Sequence, residues 1–192
     1  MSLSFETAEA RLRERLSEDA AAHCLRVAEF AGLLAGIYAV DTDDARLAGL
    51  LHDWDREQDA SALLAACEVS GRPLEPADTQ VPYLLHARTG AAAIRQEFPE
   101  LSDEIVDAVE RHTLGAPEMT ELDMVVYIAD MIEPGRRFKG VDDLREAVGC
   151  VSLRDLFALA YQRTVAHIVE VRKTIHPQTV AVWNNYVARS QS

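Results

Sequence analysis

Six ionisable side chains stand where the surrounding pattern calls for apolar ones. His23 heads a stripe continued by Val27, Phe30, Ala31 and Leu34 at helical spacing. His112 extends the stripe of Ile105 and Val109, and Asp130 lies one turn after Val126 beside the apolar stretch 124–129. His52 and Asp53 are adjacent in Leu50-Leu51-His52-Asp53-Trp54. His86 closes Tyr83-Leu84-Leu85-His86, with Gly90 and Ala93 on nearly the same face, small residues that let another backbone or a ligand come close. Each of these groups is costly to bury without a partner. A lone histidine on an apolar face is most simply a hydrogen-bonded core residue. Four of them, with a tandem His-Asp and a further aspartate, read as a set. One metal ion or two would satisfy the whole set, because neutral imidazoles and carboxylates suit iron, manganese, cobalt or zinc.

The elements that must position these groups are helices. Apolar residues recur at helical spacing, and no run alternates with period two long enough to argue a sheet. The pattern predicts helices over about 4–18, 19–40, 44–54, 59–69, 83–98, 102–113, 120–132, 152–173 and 177–189. Asp41-Thr42-Asp43 supplies a cap for the third, Thr120 with Asp123 and Ser152 with Asp155 make capping boxes, and Pro177 opens the last. Residues 71–82 hold a glycine and three prolines, which predicts an irregular surface connection. The fold class is therefore all-α. No internal repeat is present. The chain 1–192 reads as one domain, with a core over about 19–134 and C-terminal helices over about 150–190; residues 135–149 are the one weak candidate for a boundary.

Composition narrows the function classes. At 48% hydrophobic and 27% charged, 192 residues can bury a substantial core. Acidic residues outnumber basic ones 32 to 19, a formal charge of -13 that repels the phosphate backbone of a nucleic acid polymer. Residues 1–15 carry no export signal, and no run approaches the roughly 18 apolar residues of a membrane span. Cys24, Cys67 and Cys150 are odd in number and widely spaced, which suggests neither disulfides nor a thiolate zinc site. A reducing cytoplasm fits this usage. Basic residues near the polar set could hold a small anionic substrate, since guanidinium forks match phosphate oxygens in pairs. Arg26, Arg56, Arg136 and Arg137 are the candidates, with Lys139 nearby; Thr113 and the backbone of Gly115 could add donors beside His112. Arg88 and Arg111 read as surface residues, and His167 and His176 as structural ones.

The order His23, His52-Asp53, Asp130 resembles the HD-domain metal phosphohydrolases. The stretches Leu50-Leu51-His52-Asp53, Leu84-Leu85-His86, Arg111-His112-Thr113-Leu114-Gly115, Tyr127-Ile128-Ala129-Asp130-Met131-Ile132-Glu133-Pro134-Gly135-Arg136 and Ile175-His176-Pro177 are similar to the bacterial YqeK-type members, symmetrical diadenosine tetraphosphatases with a di-iron centre. The His-Asp pair alone is not specific, whereas five stretches in order are. The resemblance covers about residues 20–187. It implies an HD-domain helical bundle with an additional C-terminal helical pair. It also implies two metal ions, iron before manganese, cobalt or zinc: one held by His23, His52, Asp53 and Asp130, the second by His86 and His112, with Asp53 bridging. Two metals about 3.5 to 4 Å apart lower the pKa of a shared water and clamp the oxygens of an in-line displacement at phosphorus. Asp53 and Arg56 are thereby expected in the catalytic step. The implied substrate is a dinucleoside tetraphosphate cut at its centre, diadenosine tetraphosphate giving ADP, and a homodimer is expected from the same likeness. Relatives often carry Lys at the position of Arg56, and a planar fork in place of an ammonium reshapes phosphate contact there. Another nucleotide substrate (a nucleoside monophosphate, a deoxynucleoside triphosphate or a guanosine polyphosphate) and a non-catalytic nucleotide-binding regulator are the competing readings.

Overall fold

The computed structural model describes residues 3–69 and 73–188. Short polar side chains start the helices. Ser4, Ser17, Asp41, Ser102, Thr120 and Ser152 each accept a hydrogen bond from a first-turn backbone N–H that the helix itself cannot satisfy. The elements are α1 (Phe5–Arg15), α2 (Glu18–Tyr38), α3 (Thr42–Leu51), α4 (Ala60–Val69), α5 (Pro76–Gln80), a 3-10 turn (Pro82–Leu85), α6 (His86–Glu97), α7 (Asp103–Arg111), α8 (Glu121–Ile132), α9 (Val141–Ala147), α10 (Leu153–Glu170) and α11 (Pro177–Val182), which widens into a π-helical turn (Trp183–Val187). Among the described residues there is no strand.

Helix α2 packs along α3 and α8, and α7 closes the group by meeting α3, α6 and α8. Gly49 permits the close approach of α3 to α2, because a Cβ there would lie 3.0 Å from the Cα of Ala28. Helix α8 is the shared wall. It buries Leu122 to Ala129 and Ile132, with α2, α3 and α7 on one side and α10 on the other. Across that second face Tyr127, Phe157, Tyr161 and Tyr186 stack at ring-centroid distances of 5.1 to 5.5 Å, so the C-terminal helices share one apolar core with the rest. A small satellite cluster of Leu63, Cys67 and Leu85 seats α4 on the 3-10 turn. Helix α2 is long and apolar enough to cross a membrane. Here it is a core helix, buried through Cys24, Val27, Ala28, Ala31, Leu34 and Ala35.

Several boundaries differ from the pattern. The helix predicted over 44–54 stops at Leu51, with His52 as its C-cap, because the chain turns to bring Asp53 inward. That predicted over 83–98 divides at His86 into a 3-10 turn and α6. Within the expected loop, residues 76–80 form α5, held by reciprocal capping between Glu75 and Asp78 and by Pro76 in its first turn; Gly71 lies outside the described residues. The 135–149 segment contains α9, and Arg145 ties it back to the carbonyls of Ile132 and Glu133 at 3.0 and 2.7 Å. Helix α10 ends at Glu170, short of 173, where Arg172 takes a left-handed backbone with φ 55. At its head Ser152 caps Asp155, but the Ser152 hydroxyl donates to the Asp155 carboxylate at 2.6 Å instead of completing a box. The last helix is α11, which passes into the π turn by Val187; the predicted end at 189 lies outside the described residues.

Candidate metal centre

Three of the four histidines sit at helix ends. His52 caps α3, His112 caps α7 and His86 opens α6. A helix leaves its last carbonyls without an intrahelical donor, and each ring uses one three residues back. Nδ1 of His52 donates to Gly49 O at 2.8 Å, that of His112 to Val109 O at 2.7 Å, and that of His86 to Tyr83 O. A carbonyl only accepts, so Nδ1 carries the hydrogen and the lone pair of the neutral ring lies on Nε2. His23 is different. It sits in the second turn of α2, where backbone carbonyls are already committed, and its Nδ1 finds the Glu133 carboxylate at 3.2 Å.

All four Nε2 atoms converge on two carboxylates. Asp130 Oδ1 lies 3.0 Å from His23 Nε2 and 3.6 Å from His52 Nε2. Asp53 is fully buried and faces both ways: Oδ2 lies 3.2 Å from His52 and 3.6 Å from His23, while Oδ1 lies 3.0 Å from His86 and 3.5 Å from His112. The result is two triads, His23-His52-Asp130 and Asp53-His86-His112, with ligand atoms of each within 4.8 Å of one another. Buried His52 Nε2 has no hydrogen-bond partner, and the Nε2 atoms of His86 and His112 face each other at 3.1 Å. Lone pairs aimed at lone pairs and at carboxylates call for cations, so these residues fit divalent metal ions. Cys24 also comes near His52 and Asp53, but burial pushes its thiol up to about 11, which keeps it a neutral thiol.

The electrostatics agree with that reading. Burial opposes charge on Asp53, yet the charge of His52 and the close imidazoles of His112, His52 and His86 hold its carboxyl well below the usual carboxylate range. Asp130 is held down in the same way, against burial, by His23, His52 and Arg136. Burial also opposes charge on His52, and Asp53 and Asp130 overcome it, raising this ring well above ordinary histidine. His112 goes the other way, lowered by burial and by its neighbours His52 and His86 against the pull of Asp53. The carboxylates thus recruit a proton onto His52, and a bound cation competes with that proton for the same lone pair.

A cavity of about 510 Å³ opens over the cluster, lined by His86, His112, Thr113, Asp130, Arg56 and Arg136 among others. Arg56 Nη1 lies 3.0 Å from Asp53 Oδ2. Arg136 grips Asp130 through its carboxylate and, at 2.7 Å, its backbone carbonyl, and comes within 3.2 Å of His23 Nε2. The other candidates lie elsewhere. Arg26 is committed to Glu133, Nε to Oε2 at 2.9 Å. Arg137 donates to the carbonyls of Pro134 and Arg136 and lines a separate cavity with Phe30. Gly115 has no donor to offer, since its N–H is spent on Arg111 O at 2.8 Å and its carbonyl accepts from Gln178. Lys139 lines a neighbouring cavity. Arg111 is no free surface residue: its guanidinium binds Asp123 at 2.8 Å and Asp107 at 3.0 Å, and Arg88 is likewise half-buried. His167 is exposed on α10, whereas His176 is buried, caps α11 and bonds Asp78 at 3.1 Å.

Glu133 is the group that pattern reading passes over. It is 1% exposed, accepts from His23, Arg26 and the Gly135 backbone, and has only its place one turn after Asp130 to betray it in the sequence. A Cβ on Gly135 would fall 2.8 Å from both Arg26 Nε and Glu133 Oε1, so a side chain there would push this ion pair out of its present geometry.

This helical bundle, with paired His/Asp triads bridged by one aspartate, places the chain in a class. It belongs to the HD domain family of metal-dependent phosphohydrolases, whose model matches residues 20–135. Along nearly its whole length it is similar to the symmetrical bis(5'-nucleosyl)-tetraphosphatase of Staphylococcus aureus, 34% identical over 96% of this chain and 95% of the relative. The Bacillus subtilis protein of the same name is 29% identical over 96% and 98%. A crystal structure of a predicted HD superfamily hydrolase involved in NAD metabolism from Clostridium acetobutylicum superposes with a TM-score of 0.91 at 33% identity, covering 98% of this chain and 100% of that one.

Proposed function

We propose that this protein hydrolyses dinucleoside tetraphosphates at their centre, converting diadenosine tetraphosphate and water to two ADP. In this reading His23, His52, Asp53 and Asp130 hold one metal ion, and His86 and His112, with Asp53 shared, hold a second. The observation that carries it is the Asp53 carboxylate, each oxygen of which faces a different group of imidazoles. The full-length likeness to two proteins named symmetrical tetraphosphatases supports the choice of substrate.

When bound, two divalent cations supply a water of lowered pKa and neutralise charge developing at phosphorus. The chain's part is preorganisation. Backbone carbonyls fix three imidazoles and Glu133 the fourth, so no ligand has to reorient during reaction. Arg56 and Arg136 are the guanidinium groups on the cavity wall, and their free N–H groups meet phosphate oxygens in pairs. Thr113 adds a hydroxyl on the same wall. We take iron as the resident metal; the imidazole and carboxylate donors admit manganese, cobalt or zinc as well. The formal charge of -13 disfavours polymeric nucleic acid as substrate, and we place the protein in the cytoplasm.

The test is product analysis after incubating iron-loaded protein with diadenosine tetraphosphate. ADP as sole product is the expected result; AMP with ATP, or no turnover, overturns the assignment.

A further inference from the structure

Of the two tryptophans, five tyrosines and five phenylalanines, all within the described residues, only Tyr83 and Phe138 are exposed, at 52% and 38%. Both line the cavity over the His/Asp cluster. Aromatic rings bring a large apolar area that this fold elsewhere buries or half-buries, so a pair left open in one cavity points to a flat apolar partner.

Each ring is tied to a different end of the cluster. Tyr83 belongs to the 3-10 turn, and its carbonyl accepts from Nδ1 of His86, in the Asp53-His86-His112 triad. Phe138 follows two residues after Arg136, whose guanidinium contacts Asp130 and His23 in the other triad. Space continues past both rings, in two cavities that each also touch Thr164 and His167 of α10. Beyond Phe138 a cavity of about 430 Å³ shares Met131, Phe138 and Thr164 with the central one and adds Lys139 and Arg163. Beyond Tyr83 a smaller cavity shares Tyr83, Leu84, Thr113 and Thr164 with it and reaches Lys173, whose Nζ lies 5.7 Å from the Tyr83 ring centroid.

We propose that Tyr83 and Phe138 are stacking platforms for the two nucleosides of the substrate, one at each end, with the phosphates spanning the cluster between them. The inference rests on the tetraphosphatase reading above. A molecule with a base at both ends and scissile phosphates at its centre needs two flat apolar contacts flanking a cationic middle, and Arg56 and Arg136 supply the protein's own cations there. Stacking on a ring face accepts any purine, so these platforms select for the presence of two nucleosides more than for a particular base.

Metal-loaded wild type, Tyr83→Ala, Phe138→Ala and the double variant are compared by steady-state kinetics on diadenosine tetraphosphate and by calorimetric titration with ADP, with metal content measured in each. Wild type is expected to bind two ADP per chain. Each single variant is expected to lose one of these sites and to raise KM about tenfold, the effect falling on KM more than on kcat, at unchanged metal content. Tyr83→Phe and Phe138→Tyr, which keep the ring, are expected to restore both. Unchanged KM and ADP stoichiometry in both alanine variants overturns the platforms. Wild type that binds two ADP but does not split the tetraphosphate overturns the tetraphosphatase reading instead, and loss of one ADP in each alanine variant still supports the platforms in that case.

Discussion

Asp53 and Glu133 do opposite work with the same functional group. Asp53 spans two sets of imidazoles, so under the two-metal proposal the properties of both positions pass through one carboxylate. Glu133 touches neither position and acts through Nδ1 of His23, fixing the tautomer and orientation that aim Nε2 at the carboxylates. Two predictions belong at this scale. In His86→Ala, metal content by elemental analysis falls from two ions toward one per chain and most activity is lost, while the far-ultraviolet circular dichroism stays helical; unchanged metal content contradicts the two-metal assignment. In Glu133→Gln, competitive chelator titration shows affinity at the His23 position weakened by about 10- to 100-fold, with the His86 position little altered. The polar set itself was legible in the sequence because each member interrupts an apolar stripe. Glu133 was not, because its partner His23 is distant in sequence and meets it only where α2 crosses α8. The partner of Arg26 was hidden for the same reason: its guanidinium meets Glu133 at 2.9 Å across the same crossing.

At the scale of elements, the ends of helices matter more than their middles. Ending α3 at Leu51 and α7 at Arg111 makes free carbonyls available to His52 and His112. Apolar periodicity runs smoothly into these ends and does not mark them, which is why the predicted helix over 44–54 ran too long. Caps, by contrast, are local chemistry, and the Thr120/Asp123 box appears as its residue types suggest. Its Asp123 also receives Arg111, which locks the start of α8 to the end of α7 beside His112. Thr120→Ala is expected to cost about 1 kcal/mol in denaturant unfolding. Gly49→Ala tests the contact of α2 with α3. The added Cβ would sit 3.0 Å from Ala28 Cα, an overpacking worth about 1–3 kcal/mol. It also shifts the carbonyl that orients His52, so metal affinity falls with stability. Gly36→Ala, where a Cβ meets nothing within 4 Å, is expected to be neutral or stabilising in the same melts.

For the molecule as a whole, metal and fold are coupled. Buried His52, Asp53, His86 and His112 leave lone pairs and charge at the meeting point of α2, α3, α6, α7 and α8, a cost that ions offset by binding the folded state alone. Removing metal with a chelator is therefore expected to lower Tm, and restoring ions to about 100 times their Kd to return roughly 2.7 kcal/mol per site. A melting curve indifferent to chelation argues against metal at this cluster.

Residue types and spacing alone determined that the chain is helical, that six polar groups are out of place on apolar faces, and that their chemistry is that of hard-to-borderline metal ligands. These follow from a helical period that is written locally. Only the tertiary structure decided that the two oxygens of Asp53 face different triads, that Arg136 and Arg56 reach the cavity while Arg26 and Arg137 do not, and that Gly115 has no donor left to give. Those outcomes depend on how helices remote in sequence cross, and crossing is set by packing over the whole core, which no short window of sequence contains.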